Sequence, residues 1–150
     1  MEKPDALLAR ARQRALELKL PYAGALLPRE AFELWQQVPG TTLVDVRTKA
    51  EWDYVGRVPG AVEIEWNHYP SGRNPEFGPQ LQAAVEKRDA PVLFLCRSGG
   101  RSNATAALAA ELGFSQAFNI LQGFEGDVDP NGHRNTIGGW RAAKLPWRQS

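Results

Sequence analysis

The stretch VLFLCRSGGRS, residues 92–102, joins a short apolar run to the single cysteine of the chain and then to glycines and arginines. Four consecutive apolar residues, 92–95, are typical of a strand that is buried on both faces. The small residues 98–100 allow the backbone to curl after that strand. The next segment, NATAALAAEL (103–112), is rich in good helix formers and stops at a glycine. The stretch therefore predicts a strand, a tight loop and a helix, in that order.

Short apolar runs alternate with helical patterns along most of the chain. Thr48 and Glu51 have the spacing of a capping box, and Asn74 before Pro75 has the pattern of an N-cap followed by proline. Strands that alternate with helices form parallel sheets. We therefore predict an α/β fold with an open, mainly parallel sheet of about five strands and helices on both faces. Strands are predicted at 42–46, 61–64, 92–95 and 117–120, and helices at 48–55, 75–87 and 103–112.

Two segments flank this pattern. Residues 1–27 are predicted to form an N-terminal helical extension, and residues 28–148 the main domain, whose first helix begins with Pro28. A short helical piece is predicted to end near Ala143. The apolar face of the N-terminal amphipathic helix is expected to pack on the main domain. That face consists of Leu7, Leu8, Ala11, Ala15 and Leu18.

Charge and cysteine content narrow the class of partner. The 18 basic and 17 acidic residues give a net charge of +1, whereas nucleic-acid-binding proteins usually concentrate a basic excess on one face. One cysteine cannot form an internal disulfide, nor can it build a metal site with two histidines distant in sequence. The N-terminus lacks the features of a signal peptide, and no apolar run reaches the roughly 20 residues of a membrane span. We therefore expect a cytoplasmic protein with a small ligand, no metal or cofactor, and neither nucleic acid nor membrane as partner.

The loop after the apolar run is the candidate functional site. In an open parallel sheet, ligands bind beyond the carboxyl ends of the strands, which is where Cys96 lies. Loop amides and the N-terminus of the helix that begins near Ser102 create a positive field that binds an anion and favours a thiolate over a thiol. A buried strand-end cysteine would not need this loop, so we predict that Cys96 is reactive. The predicted anion-binding residues are Arg97, Ser98, Gly99, Gly100, Arg101 and Ser102.

An anion site with no adjacent base suits two chemistries, phosphoryl transfer and the transfer of a sulfane sulfur. In both, the substrate is itself anionic, and the nucleophile does not need to lose a proton first. The two histidines, His68 and His133, are distant from the cysteine in sequence, and no His-Asn pairing typical of a papain-like protease is recognisable.

Three motifs resemble those of single-domain members of the rhodanese family of sulfurtransferases. LVDVRTKAEWDYVGRVPGAVEI (43–64) is similar to the first signature of the family, D-V-R-x-x-x-E-[FW] followed by G-H-[IV]-P-G-A. CRSGGRS (96–102) resembles the active-site loop of many bacterial members. FNILQGFEGDV (118–128) and GGWRAAKLPW (138–147) resemble the C-terminal glycine-rich turn and the last tryptophan segment. The resemblance covers about 28–148, and it implies a rhodanese-like fold and sulfurtransferase activity.

The resemblance also implies roles for individual residues. Cys96 would be the nucleophile that forms a persulfide, and the loop amides would hold the bound sulfur. Asp45 and Arg47 match positions that tie the loop after the first signature strand to the sheet, as structural support. The chain departs from the family pattern at Arg57, which stands where histidine is usual, and at 125–139, an insertion before the last tryptophan segment.

The length of the loop distinguishes a sulfurtransferase from a cysteine phosphatase. Cysteine phosphatases of related fold resemble C-x5-R, and their loop surrounds a phosphoryl group that the arginine clamps. Here Arg101 comes five positions after Cys96, which gives C-x4-R and a smaller ring. We therefore predict a two-step transfer of sulfur from thiosulfate or a persulfide donor, a small anion, through a Cys96 persulfide to an external thiol or protein acceptor. The alternatives are a persulfide relay or sensing module with little turnover and, less favoured, a cysteine phosphatase.

Overall fold

Helices and strands alternate along residues 1–149, which are the residues that the computed structural model describes. The five helices are α1 (Pro4–Leu18), α2 (Pro28–Gln37), α3 (Lys49–Tyr54), α4 (Phe77–Ala84) and α5 (Gly100–Glu111). The seven strands are β1 (Gly24–Leu26), β2 (Thr42–Asp45), β3 (Val62–Glu63), β4 (Asn67–His68), β5 (Gly72–Arg73), β6 (Val92–Leu95) and β7 (Ala117–Ile120).

Five strands form one parallel sheet in the order β1-β7-β6-β2-β3. Strand β6 lies at the centre, where Val92 is in register with Thr42 on one side and with Ala117 on the other. The α/β fold with an open, mainly parallel sheet of about five strands is therefore confirmed. Because β6 is central, the residue that follows it lies in the middle of the carboxyl edge of the sheet.

Helices cover both faces of the sheet, as predicted. Alternate side chains of β6 point to opposite faces: Val92 and Phe94 belong to one apolar cluster, and Leu93 and Leu95 to the other. The first cluster contains side chains of α4 and α5, and the second contains side chains of α1 and α2. This double burial explains why the strand is a continuous apolar run.

The N-terminal helix packs on the second face with part of the apolar side that the sequence indicates, because Leu18, which was expected on that side, is 59% exposed. Leu7 and Ala11 are fully buried there. Ion pairs link the polar side of α1 to α2. The carboxylate of Glu30 in α2 accepts hydrogen bonds from Arg10 at 2.7 Å and from Arg14 at 2.6 Å, both in α1. None of the helices within residues 1–149 is both long and apolar enough to cross a membrane.

The segment 1–27 also supplies a strand that the sequence analysis does not identify. Strand β1 pairs with β7, with Gly24 in register with Phe118, and forms one edge of the sheet. It has three residues, two of them glycine and alanine, and such a run carries little strand propensity. Its conformation depends on the neighbouring strand and on α1, which packs over it.

Three further local features differ from the sequence analysis. A short antiparallel hairpin, β4 with β5, occupies a stretch for which no strand was predicted. Helix α4 spans Phe77–Ala84 rather than 75–87, and Asn74 accepts the Glu76 N–H at 2.9 Å just before it. The predicted helical piece near Ala143 is wrong, because that segment consists of turns. All three lie outside the sheet, where short-range turn contacts override hydrophobic periodicity.

Candidate functional site

Cys96 lies directly after β6, in the turn that leads into α5. Its side chain is almost fully buried, with 1% of the residue surface exposed. The Sγ atom accepts a hydrogen bond from the Gly99 N–H at 3.1 Å and lies 3.2 Å from the Ser102 Oγ. Gly99 has φ +113°, a conformation that L side chains rarely adopt, so a glycine is needed for the backbone to turn back towards the sulfur. The predicted loop around the cysteine is therefore present, and it already directs one amide to Sγ.

The glycine-rich turn after β7 supports the backbone of the cysteine loop. The Phe124 N–H donates to the Cys96 carbonyl at 2.8 Å, and the Glu125 N–H donates to the Arg97 carbonyl at 2.9 Å. Gly123, with φ +62°, lies against the same two peptide groups. Two separate motifs of the family resemblance are thus joined by backbone hydrogen bonds.

The buried side chains of Ser102 and Asn119 continue the hydrogen bonding from the sulfur into the sheet. The Ser102 Oγ donates to the Asn119 Oδ1 at 2.5 Å, and the Asn119 Nδ2 donates to the Gly99 carbonyl at 3.3 Å. Ser102 is among the site residues predicted from the sequence, whereas Asn119 is not. The signal for Asn119 is one amide side chain in AFNI, a strand whose other residues are all apolar.

The side chain of Arg101 forms an ion pair with Glu51 of α3. Its guanidinium donates to both carboxylate oxygens of Glu51, at 2.7 and 2.9 Å. Burial opposes the ionisation of Glu51, but hydrogen bonds from Arg101 and from the Thr48 N–H outweigh it and hold the pKa of Glu51 below its usual value. The hydrogen bonds between Arg101 and Glu51 also raise the pKa of Arg101. The predicted capping box is also present, since Thr48 and Glu51 exchange side-chain and backbone hydrogen bonds.

A cavity of about 590 Å³ opens beside the loop. Arg97, which is exposed, contributes to one wall, and the tip of the β4–β5 hairpin contributes to another. The hairpin was missed from the sequence because its strands have two residues each and are polar. The lining residues are Thr48, Ala50, Glu51, Asn67, His68, Tyr69, Pro70, Gly72, Arg97 and Arg101.

Asp45 and Arg47 form a fully buried ion pair at the end of β2. The Arg47 guanidinium donates to the Asp45 carboxylate at 2.7 Å and to the Gly56 carbonyl at 2.8 Å. It also stacks on the Phe124 ring, 4.2 Å from the ring centre. These contacts join β2, the end of α3 and the glycine-rich turn beneath the loop.

Arg57 and Asp129 lie outside the cysteine loop and do not line the cavity. Arg57 pairs with Asp53 at 2.7 Å and Glu63 at 3.5 Å and does not line the cavity. Asp129, in the insertion, accepts backbone hydrogen bonds from residues 131 and 133 and therefore organises a turn. Within residues 1–149, no three side chains of His, Cys, Asp or Glu are grouped closely enough to hold a metal ion.

A parallel α/β domain with a glycine-containing cysteine loop at the carboxyl end of its central strand defines the class of this protein. Residues 29–129 match the family described as Rhodanese-like domain. An uncharacterized protein of Rickettsia prowazekii (strain Madrid E) is 36% identical over 108 residues, which cover 71% of this chain and 81% of that protein. The chain therefore belongs to the rhodanese-like domain family.

Two solved structures share the fold of this chain. The crystal structure of Rv0390 from M. tuberculosis is 43% identical, with a TM-score of 0.79 over 86% of this chain and 99% of that chain. The solution structure of a polysulfide-sulfur transferase homodimer from Wolinella succinogenes has the same fold, at 20% identity and a TM-score of 0.59. That match covers 98% of this chain and 85% of the other.

Proposed function

We propose that this protein is a sulfurtransferase that carries a sulfane sulfur on Cys96. The observation that carries the proposal is the position of Sγ, at the carboxyl end of the central strand, with the Gly99 N–H donating to it at 3.1 Å. A persulfide at this position would place a negatively charged terminal sulfur beside the loop amides and the N-terminus of α5. Preorganised N–H donors of this kind stabilise developing negative charge.

The proposed reaction has two steps, the loading of sulfur onto Cys96 and its transfer to an acceptor. The Cys96 thiolate attacks the outer sulfur of thiosulfate, a bond forms between Sγ and that sulfur, and the sulfur–sulfur bond of thiosulfate breaks with release of sulfite. A nucleophile then attacks the terminal sulfur of the persulfide and regenerates the thiolate; with cyanide, the product is thiocyanate. The acceptor must come from outside because the chain has no second cysteine.

The adjacent cavity supports donors and acceptors larger than thiosulfate. Its volume of about 590 Å³ lies within the range of pockets that bind organic small molecules. Exposed Arg97 on its wall favours an anionic partner. An organic persulfide as donor, or an external thiol as acceptor, is therefore part of the proposal.

The environment of Arg101 supports sulfur over phosphate. In a phosphatase, the loop arginine clamps the oxygens of the phosphoryl group. Here both terminal nitrogens of the Arg101 guanidinium donate to Glu51. The loop arginine is therefore not free to bind the oxygens of a phosphoryl group. The contact agrees with the short C-x4-R spacing.

Intact-mass spectrometry after incubation with thiosulfate tests the proposal. The wild type should gain the mass of one sulfur atom, and cyanide should remove it with formation of thiocyanate. Cys96→Ser should gain nothing. No adduct with thiosulfate or with any organic persulfide would refute the proposal, and hydrolysis of an aryl phosphate that depends on Cys96 would support a phosphatase. A persulfide that resists cyanide and small thiols but moves to a protein thiol would identify a relay instead.

A further inference from the structure

The β4–β5 hairpin carries His68 to the wall of the cavity beside the cysteine loop. At the base of the hairpin, the Asn74 N–H donates to the Trp66 carbonyl at 2.9 Å, and the Asn74 Nδ2 donates to the Glu65 carbonyl at 2.8 Å. Trp66 is itself buried against Phe77, with the ring centres 5.1 Å apart. The hairpin is therefore anchored to the core, and His68 lines the cavity from an anchored backbone.

Glu65 orients the imidazole ring of His68. The Glu65 Oε1 lies 2.8 Å from the His68 Nδ1, and the Glu65 Oε2 accepts the Lys49 N–H at 2.8 Å, at the first residue of α3. Because a carboxylate only accepts hydrogen bonds, the proton of a neutral imidazole lies on Nδ1. The Nε2 atom then carries a lone pair, and it makes no hydrogen bond with residues 1–149. An imidazole in this state can accept a proton at Nε2.

We propose that His68 is a catalytic base for the second step, in which it takes the proton of a thiol acceptor through Nε2. Glu65 is the positioning residue that holds the ring and stabilises the imidazolium that forms. The inference rests on the proposed function, which requires an external nucleophile. The base acts on the acceptor and not on Cys96, whose sulfur is already part of a persulfide when the acceptor arrives.

A thiol acceptor needs such a base because the thiolate is the nucleophile. A thiol with a pKa of about 8.5 is only a few per cent ionised at neutral pH. Glu51, the one carboxylate among the described residues that line the cavity, is a poor base: its burial is outweighed by hydrogen bonds from Arg101 that hold its pKa below the usual value. Arg97 has no lone pair with which to accept a proton. His68 is therefore the lining side chain that suits the task.

The cavity brings an acceptor close to both the persulfide and His68. Arg97 directly follows Cys96 and lies on the loop side of the cavity, whereas His68 lies on the hairpin side. With about 590 Å³ available, a small organic thiol that reaches the persulfide from the cavity lies between these two sides. The exposed guanidinium of Arg97 can also attract a carboxylate on the acceptor.

The second step balances with His68 as the proton acceptor. The S–H bond of the acceptor breaks, and its proton passes to Nε2. The thiolate attacks the terminal sulfur of the Cys96 persulfide, the bond between that sulfur and Sγ breaks, and Cys96 leaves as a thiolate. The products are the persulfide anion of the acceptor and the imidazolium of His68, which returns the proton to water. No oxidant or reductant is consumed.

The persulfide for the test can be made without a sulfane-sulfur donor, because Cys96 is the single cysteine. An aryl disulfide converts Cys96 to a mixed disulfide, and hydrosulfide then displaces the aryl thiolate to leave the persulfide. Transfer is followed by intact-mass time courses at neutral pH with two acceptors. Mercaptopropionate has a protonated thiol, whereas thionitrobenzoate is already a thiolate, and both carry a carboxylate.

The quantity measured is the transfer rate with mercaptopropionate divided by the rate with thionitrobenzoate. In His68→Gln this ratio should fall by about 10²-fold, the loss typical of a missing general base. Glu65→Gln keeps the shape of the side chain but removes its charge. It should lower the ratio about tenfold, and it should change nothing further once His68 is replaced. His133→Gln, in the insertion and outside the cavity, is the control and should leave the ratio unchanged.

An unchanged ratio in His68→Gln would overturn the inference, as would an equal loss with both acceptors, which is the result for a residue that only shapes the cavity. An effect of Glu65→Gln that persists without His68 would overturn the positioning role. His68 is exposed, so its replacement leaves the core intact. Because the persulfide is made chemically, failure of thiosulfate loading would count against the proposed function alone.

Discussion

Gly123 lies where the turn after β7 crosses the backbone of the cysteine loop. A Cβ atom at this position would lie 2.5 Å from the Cys96 carbonyl oxygen, and the residue has φ +62°. Gly123→Ala should therefore displace the loop and cost about 2 to 3 kcal/mol of stability through strain. We expect sulfur loading from thiosulfate to slow by about 10²-fold, the scale that a misplacement of about 1 Å can produce. Intact-mass time courses and urea unfolding measure the two effects.

Gly40 provides the matched control for that prediction. It has φ +86°, but a Cβ atom there would meet nothing within 4 Å. Gly40→Ala should cost only the conformational penalty, about 1 kcal/mol, and leave sulfur loading unchanged. Equal effects of the two substitutions would show that the close contact with the loop is unimportant.

Glu51 binds the Arg101 guanidinium with both carboxylate oxygens, and its substitution should change which anions the loop accepts. Glu51→Gln preserves the size and the capping role of the side chain but removes the charge that binds the guanidinium. We expect inorganic phosphate to inhibit sulfur loading at an about tenfold lower concentration, because the freed arginine can bind its oxygens. Asp53→Asn, on the same helix but paired with Lys49 and Arg57, is the control and should leave phosphate inhibition unchanged. Unaltered inhibition in Glu51→Gln would mean that Arg101 does not reach the anion site.

At the scale of single residues, contacts between residues that are close in sequence are predictable, whereas contacts between residues that are distant in sequence are not. Cys96, Gly99 and Ser102 lie within seven positions, so their grouping in one loop follows from the sequence alone. Asn119 reaches Ser102 across 17 positions and Glu51 reaches Arg101 across 50. Such pairs depend on strand order and helix placement, which local patterns do not contain.

At the scale of elements, predictability follows the hydrophobic pattern rather than burial alone, since β1 is fully buried but is not predicted from the sequence. The strands β2, β6 and β7 have four residues each, and at least two consecutive residues of each strand are buried and apolar, so their hydrophobic pattern is clear. The short elements β1, β4 and β5 have two or three residues and owe their conformation to their neighbours. The hairpin matters for function because it forms a wall of the cavity, so this part of the site was the least predictable.

Glu30 is the electrostatic link between α1 and α2. Burial opposes its ionisation, but hydrogen bonds from Arg14, the Leu27 N–H and Arg10 outweigh it and lower the pKa of Glu30 from 4.5 to about 2. Because the folded-state pKa is the lower one, this stabilisation is fully present above pH 4.5 and is lost as the pH falls towards 2. Glu30→Gln should therefore destabilise the protein by about 2 to 3 kcal/mol at neutral pH, and by progressively less on acidification. Urea unfolding at a series of pH values measures the difference.

Glu33 supplies the control on the same helix. It has no salt bridge to an arginine within residues 1–149, and its carboxylate accepts only the Glu2 N–H, at 2.7 Å. Glu33→Gln removes the same formal charge and should have a small effect that varies little with pH. A pH-independent loss in Glu30→Gln would indicate packing rather than charge.

At the scale of the whole molecule, the sheet has a core on each face, and the segment before residue 28 contributes to both. Leu7, Ala11 and Leu26 belong to the cluster on the α1–α2 face, and Tyr22 belongs to the cluster on the α5 face. The family match begins at residue 29, so it includes neither α1 nor β1. The resemblance that predicted the fold therefore says little about the edge of the sheet on which these residues lie.

A chain that begins at Pro28 should consequently fail to fold cooperatively, although it retains every proposed site residue. Truncation removes Leu7, Tyr22 and Leu26, which are between 0% and 6% exposed, and leaves β7 as an uncovered edge. Burial of large apolar side chains contributes about 1.5 to 3 kcal/mol each, and the sum approaches the whole stability of a typical domain, about 5 to 15 kcal/mol. Removal of residues 1 and 2 alone is the control and should change little, because Glu2 makes only exposed hydrogen bonds, with Arg10, Glu33 and Gln37. Thermal unfolding and thiosulfate loading of both chains measure the outcome, and a truncated chain that unfolds cooperatively and loads sulfur like the wild type would show that residues 28–148 are a self-sufficient domain.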